Sequence, residues 1–151
     1  MVVSFEYRLT GRGCSECIVE IDDKSASLTA SYLSDALADL LDAVVSVVRG
    51  SDEATASFME EPGEYRWRFK RISEERLSIC ILWFDETFSN HLDLEGKIIL
   101  ETECRLRTFA GATLSASQRV LAMYGLQGYR EKWVKYDFPI TLQAKLKEAL
   151  G

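Results

Sequence analysis

Histidine is almost absent: the 151 residues contain one, His91. That excludes any site built on several imidazoles. Neither a GxxxxGK[ST] run nor a GxGxxG run occurs, so the two glycine-rich loops that cradle phosphates are missing as well. Basic residues are in the minority, 18 Lys+Arg against 24 Asp+Glu, for a net charge of −6 and a pI near 4.9. This removes the attraction that dominates binding to nucleic acid and to anionic lipid, and the sequence predicts neither as a partner. The longest strongly apolar run, 79–84, falls far short of the ~20 residues that cross a bilayer. Charge at Glu6 and Arg8, with no apolar signal core around it, predicts a protein that is not exported and stays cytoplasmic. Four cysteines, Cys14, Cys17, Cys80 and Cys104, are expected to be free thiols in that reducing setting. With 47% hydrophobic and 28% charged residues, the chain is large enough for one core that needs no disulfide or metal.

The apolar residues that are present fall into clear periods. Val3, Phe5, Tyr7 and Leu9 alternate with polar neighbours, the period of a half-buried strand over 3–9. Gly11-Arg12-Gly13 supplies a tight turn, after which Cys17, Val19 and Ile21 resume the alternation and complete a hairpin. Beyond a short polar stretch, Leu33, Leu37, Leu40, Leu41, Val44, Val45 and Val48 recur at spacings of three and four. They predict an amphipathic helix over 31–49, capped by Ser31 or Ser34 and ended by Arg49-Gly50. A strand over 54–60 and the turn Glu61-Pro62-Gly63 lead into a two-faced strand over 64–72. Tyr65, Trp67 and Phe69 line one of its faces, and Arg66, Arg68 and Lys70 the other. Residues 77–84 are apolar on both faces, which marks a central strand.

A polar, acidic connection over 85–96 precedes a strand over 97–109, where Ile98, Leu100, Cys104 and Leu106 alternate with Glu101, Glu103, Arg105 and Arg107. The last third turns helical: Leu114, Val120, Leu121, Tyr124 and Leu126 suit a helix that Gly125 or Gly128 interrupts, and Pro139 opens a final one. The order ββαββββαα predicts the α+β class. One domain over 1–151 is expected, with a single antiparallel sheet of about six strands and helices packed on one face.

Several constellations invite a chemical reading. Cys14 and Cys17 form a CxxC, but positions three apart on a strand face opposite ways, and no second pair exists. His91 stands in an acidic loop with Asp93 and Glu95 nearby, a set that lacks the glycine and full ligand series of a calcium loop. Glu60, Glu61 and Glu64 flank the Pro62-Gly63 turn as a charged hairpin tip rather than a buried acid and base pair. Tyr124, Tyr129, Trp133, Tyr136 and Phe138 crowd one glycine-punctuated segment, as core packing or as the lining of a ligand slot or interface. No catalytic residue, metal ligand or cofactor is expected from these patterns.

The most informative feature is the polar face of the sheet, on which Arg66, Arg68 and Lys70 are expected near Glu101, Glu103, Arg105 and Arg107, with Glu6 and Arg8 on a third strand. Such a face is either solvated and laced with weak ion pairs or a charge-patterned docking surface for another protein. Three segments, Tyr32-Leu33-Ser34-Asp35-Ala36-Leu37, Glu61-Pro62-Gly63-Glu64-Tyr65-Arg66-Trp67 and Gly128-Tyr129-Arg130-Glu131-Lys132-Trp133, resemble a small bacterial α+β family. Acidic proteins of this kind look like the immunity proteins of bacterial toxin systems. That resemblance implies a non-enzymatic module that binds and blocks a toxin, engaging it through the charged face or the acidic loop. The alternative is a small-molecule binder or metal-assisted enzyme that uses His91 and neighbouring carboxylates. Self-association through the same face would make a homo-oligomer.

Overall fold

The computed structural model describes residues 2–151. Two antiparallel meanders, each followed by a helix, account for most of the chain. The first comprises β1 (Val3–Gly11), β2 (Cys14–Ile21) and β3 (Lys24–Ser31), and leads into α1 (Ala36–Val48). The second comprises β4 (Glu53–Glu60), β5 (Gly63–Arg71), β6 (Arg76–Phe84) and β7 (Lys97–Arg105), and runs directly into α2 (Leu106–Trp133); α3 (Ile140–Leu150) closes the chain. Strands are neighbours in chain order within each sheet, β1-β2-β3 and β4-β5-β6-β7, because short turns make antiparallel pairing the local solution.

The sheets do not join edge to edge. The Lys24 ammonium at the start of β3 donates to the Glu101 carbonyl on β7, whereas Ser31 at its end donates to the Met59 carbonyl on β4. β3 therefore runs across the width of the four-stranded sheet, and the inner faces enclose one continuous core. Phe5 and Tyr7 from the first sheet meet Phe58, Trp67 and Phe69 from the second, and Phe109 of α2 completes the aromatic cluster. α1 packs on β4 and β5, α2 on β1 and β7, and α3 covers both helices. Gly125, with φ of 69°, bends α2 so that Tyr129 and Trp133 turn into the core.

The α+β class and antiparallel pairing stand; the single sheet of about six strands does not. Among the described residues seven strands form two sheets. The strand missing from the sequence reading is β3, whose buried row is Ala26, Leu28 and Ala30 between Ser25, Ser27 and Thr29. Leu28 is the one large residue in that row, and Ala26 and Ala30 on either side are too small to make the alternation visible. α1 correspondingly starts at Ala36 rather than 31. β7 ends at Arg105, not at 109, because Leu106, Phe109, Ala110 and Thr113 are the buried stripe of a helix. Arg107 therefore sits on α2, where it donates to the Leu150 carbonyl, off the sheet altogether. Glu6 and Arg8 belong to the other sheet and do not share a face with Arg66.

Asp35, just before α1, carries a pH prediction. Loss of hydration on burial, then the neighbouring Asp39 carboxylate, raise it from the ordinary 3.8 to about 6, against the pull of the Ala38 amide, and its Oδ1 is buried without a hydrogen-bond partner. Since the folded pKa lies above the unfolded one, stability from this group is complete below about 3.8 and is lost as pH rises through about 6. Asp35→Asn is expected to gain about 1 kcal/mol at pH 8, a figure reduced for partial solvent screening, or about 2–4 °C in Tm. The gain disappears at pH 3.5. Paired melts at the two pH values check this; an equal shift at both would show that charge is not the cause.

Candidate functional site

The outer face of the four-stranded sheet brings Glu64, Arg66, Arg68 and Lys70 of β5 opposite Phe84, Leu82, Cys80 and Ser78 of β6, with Glu101 and Glu103 of β7 beyond. β6 stands between the arginine row and the glutamate row, so two strand spacings, about 10 Å, separate them. The arginines find other partners. Residues 85–96 fold back over this face, and Arg66 clamps them there: one guanidinium nitrogen donates to the His91 carbonyl at 2.7 Å and to Asp93 Oδ1 at 3.0 Å. The guanidinium also lies 4.3 Å above the Phe84 ring, and Nε donates to Glu64 Oε2 at 3.3 Å. Glu64 is buried; besides Arg66, its oxygens accept from the Ser57 hydroxyl and from the amide and hydroxyl of Ser89. Arg68 Nε reaches Asp93 Oδ2 at 2.9 Å.

Arg66 is consequently a structural residue, its side chain only 13% exposed. Its work is to hold the loop that covers it. Gly96 permits the close approach: a Cβ there would lie 2.8 Å from the Phe84 ring. Neither the Glu64 anchor nor the Asp93 clamp is evident from the sequence. The available signal is weak, a glutamate two positions before an arginine on one strand face, facing a loop that supplies an aspartate.

A bulge gives this surface its apolar character. Leu100 of β7 lies opposite Ile81, but the next pair is Ile98 with Leu82, leaving Ile99 as the extra residue. Regular alternation would turn Ile98 inward with Leu100; the inserted residue turns it to the outer face, 56% exposed. Beside it Leu94, on the 3-10 turn Asp93–Glu95, is 95% exposed, and Phe88 and Leu92 are also exposed. Cys80, Leu82, Leu94, Gly96 and Ile98, flanked by Arg68 and Asp93, line a shallow hollow of about 280 Å³. Leu94 and Ile98, both exposed and lining this one hollow, form the kind of apolar patch that marks contact surfaces.

The other candidate residues lie around this patch. Glu101 and Glu103 are exposed on β7, Glu103 within 3.8 Å of Arg76, and Lys70 is exposed at the far end of β5. Arg105 ends β7 opposite Arg76. His91 stacks on Phe84, with Nδ1 2.6 Å from Glu95 and Nε2 3.6 Å from Glu86. It lines an open hollow of about 300 Å³ with Trp83, Asp85 and Lys97 among its walls. Among the described residues no group of three His, Cys, Asp or Glu side chains is arranged to hold a metal ion. Cys14 is exposed while Cys17 is buried, so the CxxC sulfurs are separated by the sheet, and burial pushes the Cys17 thiol up. Among the described residues no helix is long and apolar enough to cross a membrane.

No family model matches the chain, and no curated protein matches it. Among solved structures, a chain of the CdiA-CT/CdiI toxin and immunity complex from Enterobacter cloacae aligns with 78% of this chain and 99% of its own length. The identity is 10% and the TM-score 0.47.

Proposed function

We propose that this chain is a non-enzymatic protein-binding module of the immunity type, which binds a basic toxin domain through the outer face of its four-stranded sheet and blocks it. The observation that carries the reading is the bulge that turns Ile98 outward beside Leu94, creating an apolar patch where a plain strand would have hidden one. Charged groups border the patch, the paired Arg68 and Asp93 at the hollow itself and the exposed Glu101 and Glu103 farther along β7. An apolar centre with a charged rim is the anatomy of a specific interface, and the β7 glutamates favour a basic partner.

The hollow beside His91 supports a small-molecule reading less well, since it is open and two of its carboxylates are already engaged by the imidazole. Leu94→Asp with Ile98→Asp tests the main reading. Both positions are exposed, so the fold is expected to survive with Tm changed by no more than a few degrees. Capture of the native partner from the source organism is expected to fall at least tenfold. Unchanged capture by the folded double variant rules out this face.

A further inference from the structure

The sheet edges are treated differently. On β1, the Tyr124 hydroxyl accepts from the Leu9 amide and donates to the Leu9 carbonyl, both at 3.1 Å, while Arg119 donates to the Phe5 carbonyl at 2.6 Å. On β4, Ser34 accepts from the Met59 amide and Ser31 donates to the Met59 carbonyl. The end of β3 is held against β4, where the Thr29 hydroxyl donates to Glu60. β7 pairs with β6 alone, and no strand pairs with its other side among the described residues. There the Lys24 ammonium, at the end of a flexible stem, rests on the outward carbonyl of Glu101. In an antiparallel strand the amide and carbonyl of one residue point to the same side, so the Glu101 and Glu103 amides also face outward, and those of Leu100 and Thr102 face β6. An open hollow of about 510 Å³, lined by Lys24, Glu101, Thr102 and Glu103 together with Arg76 and Ser78 of β6, reaches this edge, and the apolar hollow of Leu82, Leu94 and Ile98 lies nearer the start of β7.

We propose that β7 over residues 97–103 is an acceptor for an added strand, supplied by an extended basic segment of the partner. The proposal rests on the protein-binding reading and specifies how the partner is held. Main-chain bonds to β7 would supply register, an apolar side chain would enter the hollow at Ile98, and two Lys or Arg side chains at alternate positions would face Glu101 and Glu103. A second copy of this chain fits less well: antiparallel self-pairing centred on Glu101 sets Glu101 against Glu101 and Lys97 against Arg105, like charges directly opposite.

The test uses the full chain and a fluorescein-labelled ten-residue peptide of alternating Lys and Val, at 150 mM salt. Three results are expected together. The peptide binds, and Glu101→Lys with Glu103→Lys weakens it at least tenfold. A peptide of alternating Glu and Val, and the Lys–Val peptide N-methylated on alternate amides, bind at least tenfold more weakly. Amide exchange slows at Glu101 and Glu103 on binding and stays unchanged at Leu100 and Thr102. Equal binding of the N-methylated peptide would reduce the effect to charge attraction and overturn the proposal, as would absence of binding or protection elsewhere on the chain. A dimer of the free chain with the same amides already protected would overturn the choice of occupant. Partner capture that depends on Leu94 and Ile98 while the β7 amides keep exchanging would remove strand addition and leave the protein-binding reading intact.

Discussion

Trp67→Ala is expected to destabilise the chain by about 3–5 kcal/mol, enough to unfold much of the population at 37 °C if total stability is ordinary for this size. The indole is fully buried on β5 and touches every layer of the core. Its ring centroid lies 6.1 Å from Phe5 of β1, 5.7 Å from Phe58 of β4 and from Phe69 on its own strand, and 6.5 Å from Phe109 of α2. Truncation removes a side chain where both sheets and a helix converge, and the packed rings around it cannot collapse fully into the void. Trp67→Phe is expected to cost much less, because an aromatic ring remains and the indole Nε1–H, which has no hydrogen-bond partner, is removed with the rest. Urea unfolding of the two variants gives the comparison. A loss below about 1 kcal/mol for the alanine variant would mean that the two sheets do not share this core.

The second large effect belongs to Gly63. It opens β5 immediately after the Glu61–Pro62 turn, with φ of 126°, a region that residues with a side chain rarely occupy. Space is lacking too: an added Cβ would stand 2.0 Å from Cη2 of Trp83 and 2.6 Å from Cζ2. Trp83 lies tilted against Tyr65 with ring centroids 4.6 Å apart, so it has little room to yield. Gly63→Ala is therefore expected to cost about 2–4 kcal/mol, from backbone strain and overpacking together. The effect extends to the face proposed to bind the partner. The Gly63 amide donates to Thr87 Oγ1, which in turn donates to the Glu60 carbonyl, so the same turn anchors the start of the loop that carries Leu94. Unfolding curves together with amide exchange across 85–96 test both parts; unchanged stability and exchange would contradict the crowded turn described here.

Much of the fold is legible in the sequence wherever side-chain size makes the period visible. Val3 to Leu9 and Tyr65 to Phe69 read as strands, and Leu37 to Val48 as a helix, because large apolar residues recur at two or at three and four. β3 escapes because Ala26 and Ala30 carry its inner face. The border between β7 and α2 escapes because Cys104, Leu106 and the charged residues between them satisfy both periods over a few positions. The division into two sheets is out of reach for another reason: turns determine which strands pair locally, whereas nothing in the local pattern states whether two meanders join.

The proposed binding face is only half legible in the sequence. Its charged row on β5 is visible, but the partners of Arg66 and Arg68 come from Asp93, some 25 residues away, rather than from the expected β7 glutamates. Ile98 keeps the alternation of a core residue in sequence, and only the bulge at Ile99 turns it to solvent. A one-residue insertion in register reverses the face of a side chain, and periodicity cannot register it.

The most direct measurement is the capture series itself: the tagged wild-type chain, the Leu94→Asp/Ile98→Asp variant, and a charge-reversed control on the remote, exposed Glu131 of α2, each incubated with source-organism extract and each shown to be folded by its melt. The account predicts one stoichiometric basic partner held by the wild type and by the control, and at least tenfold less of it on the double variant. Equal recovery on all three would contradict the central claim that the outer face of the four-stranded sheet, with Ile98 and Leu94 at its centre, is where this protein binds its partner.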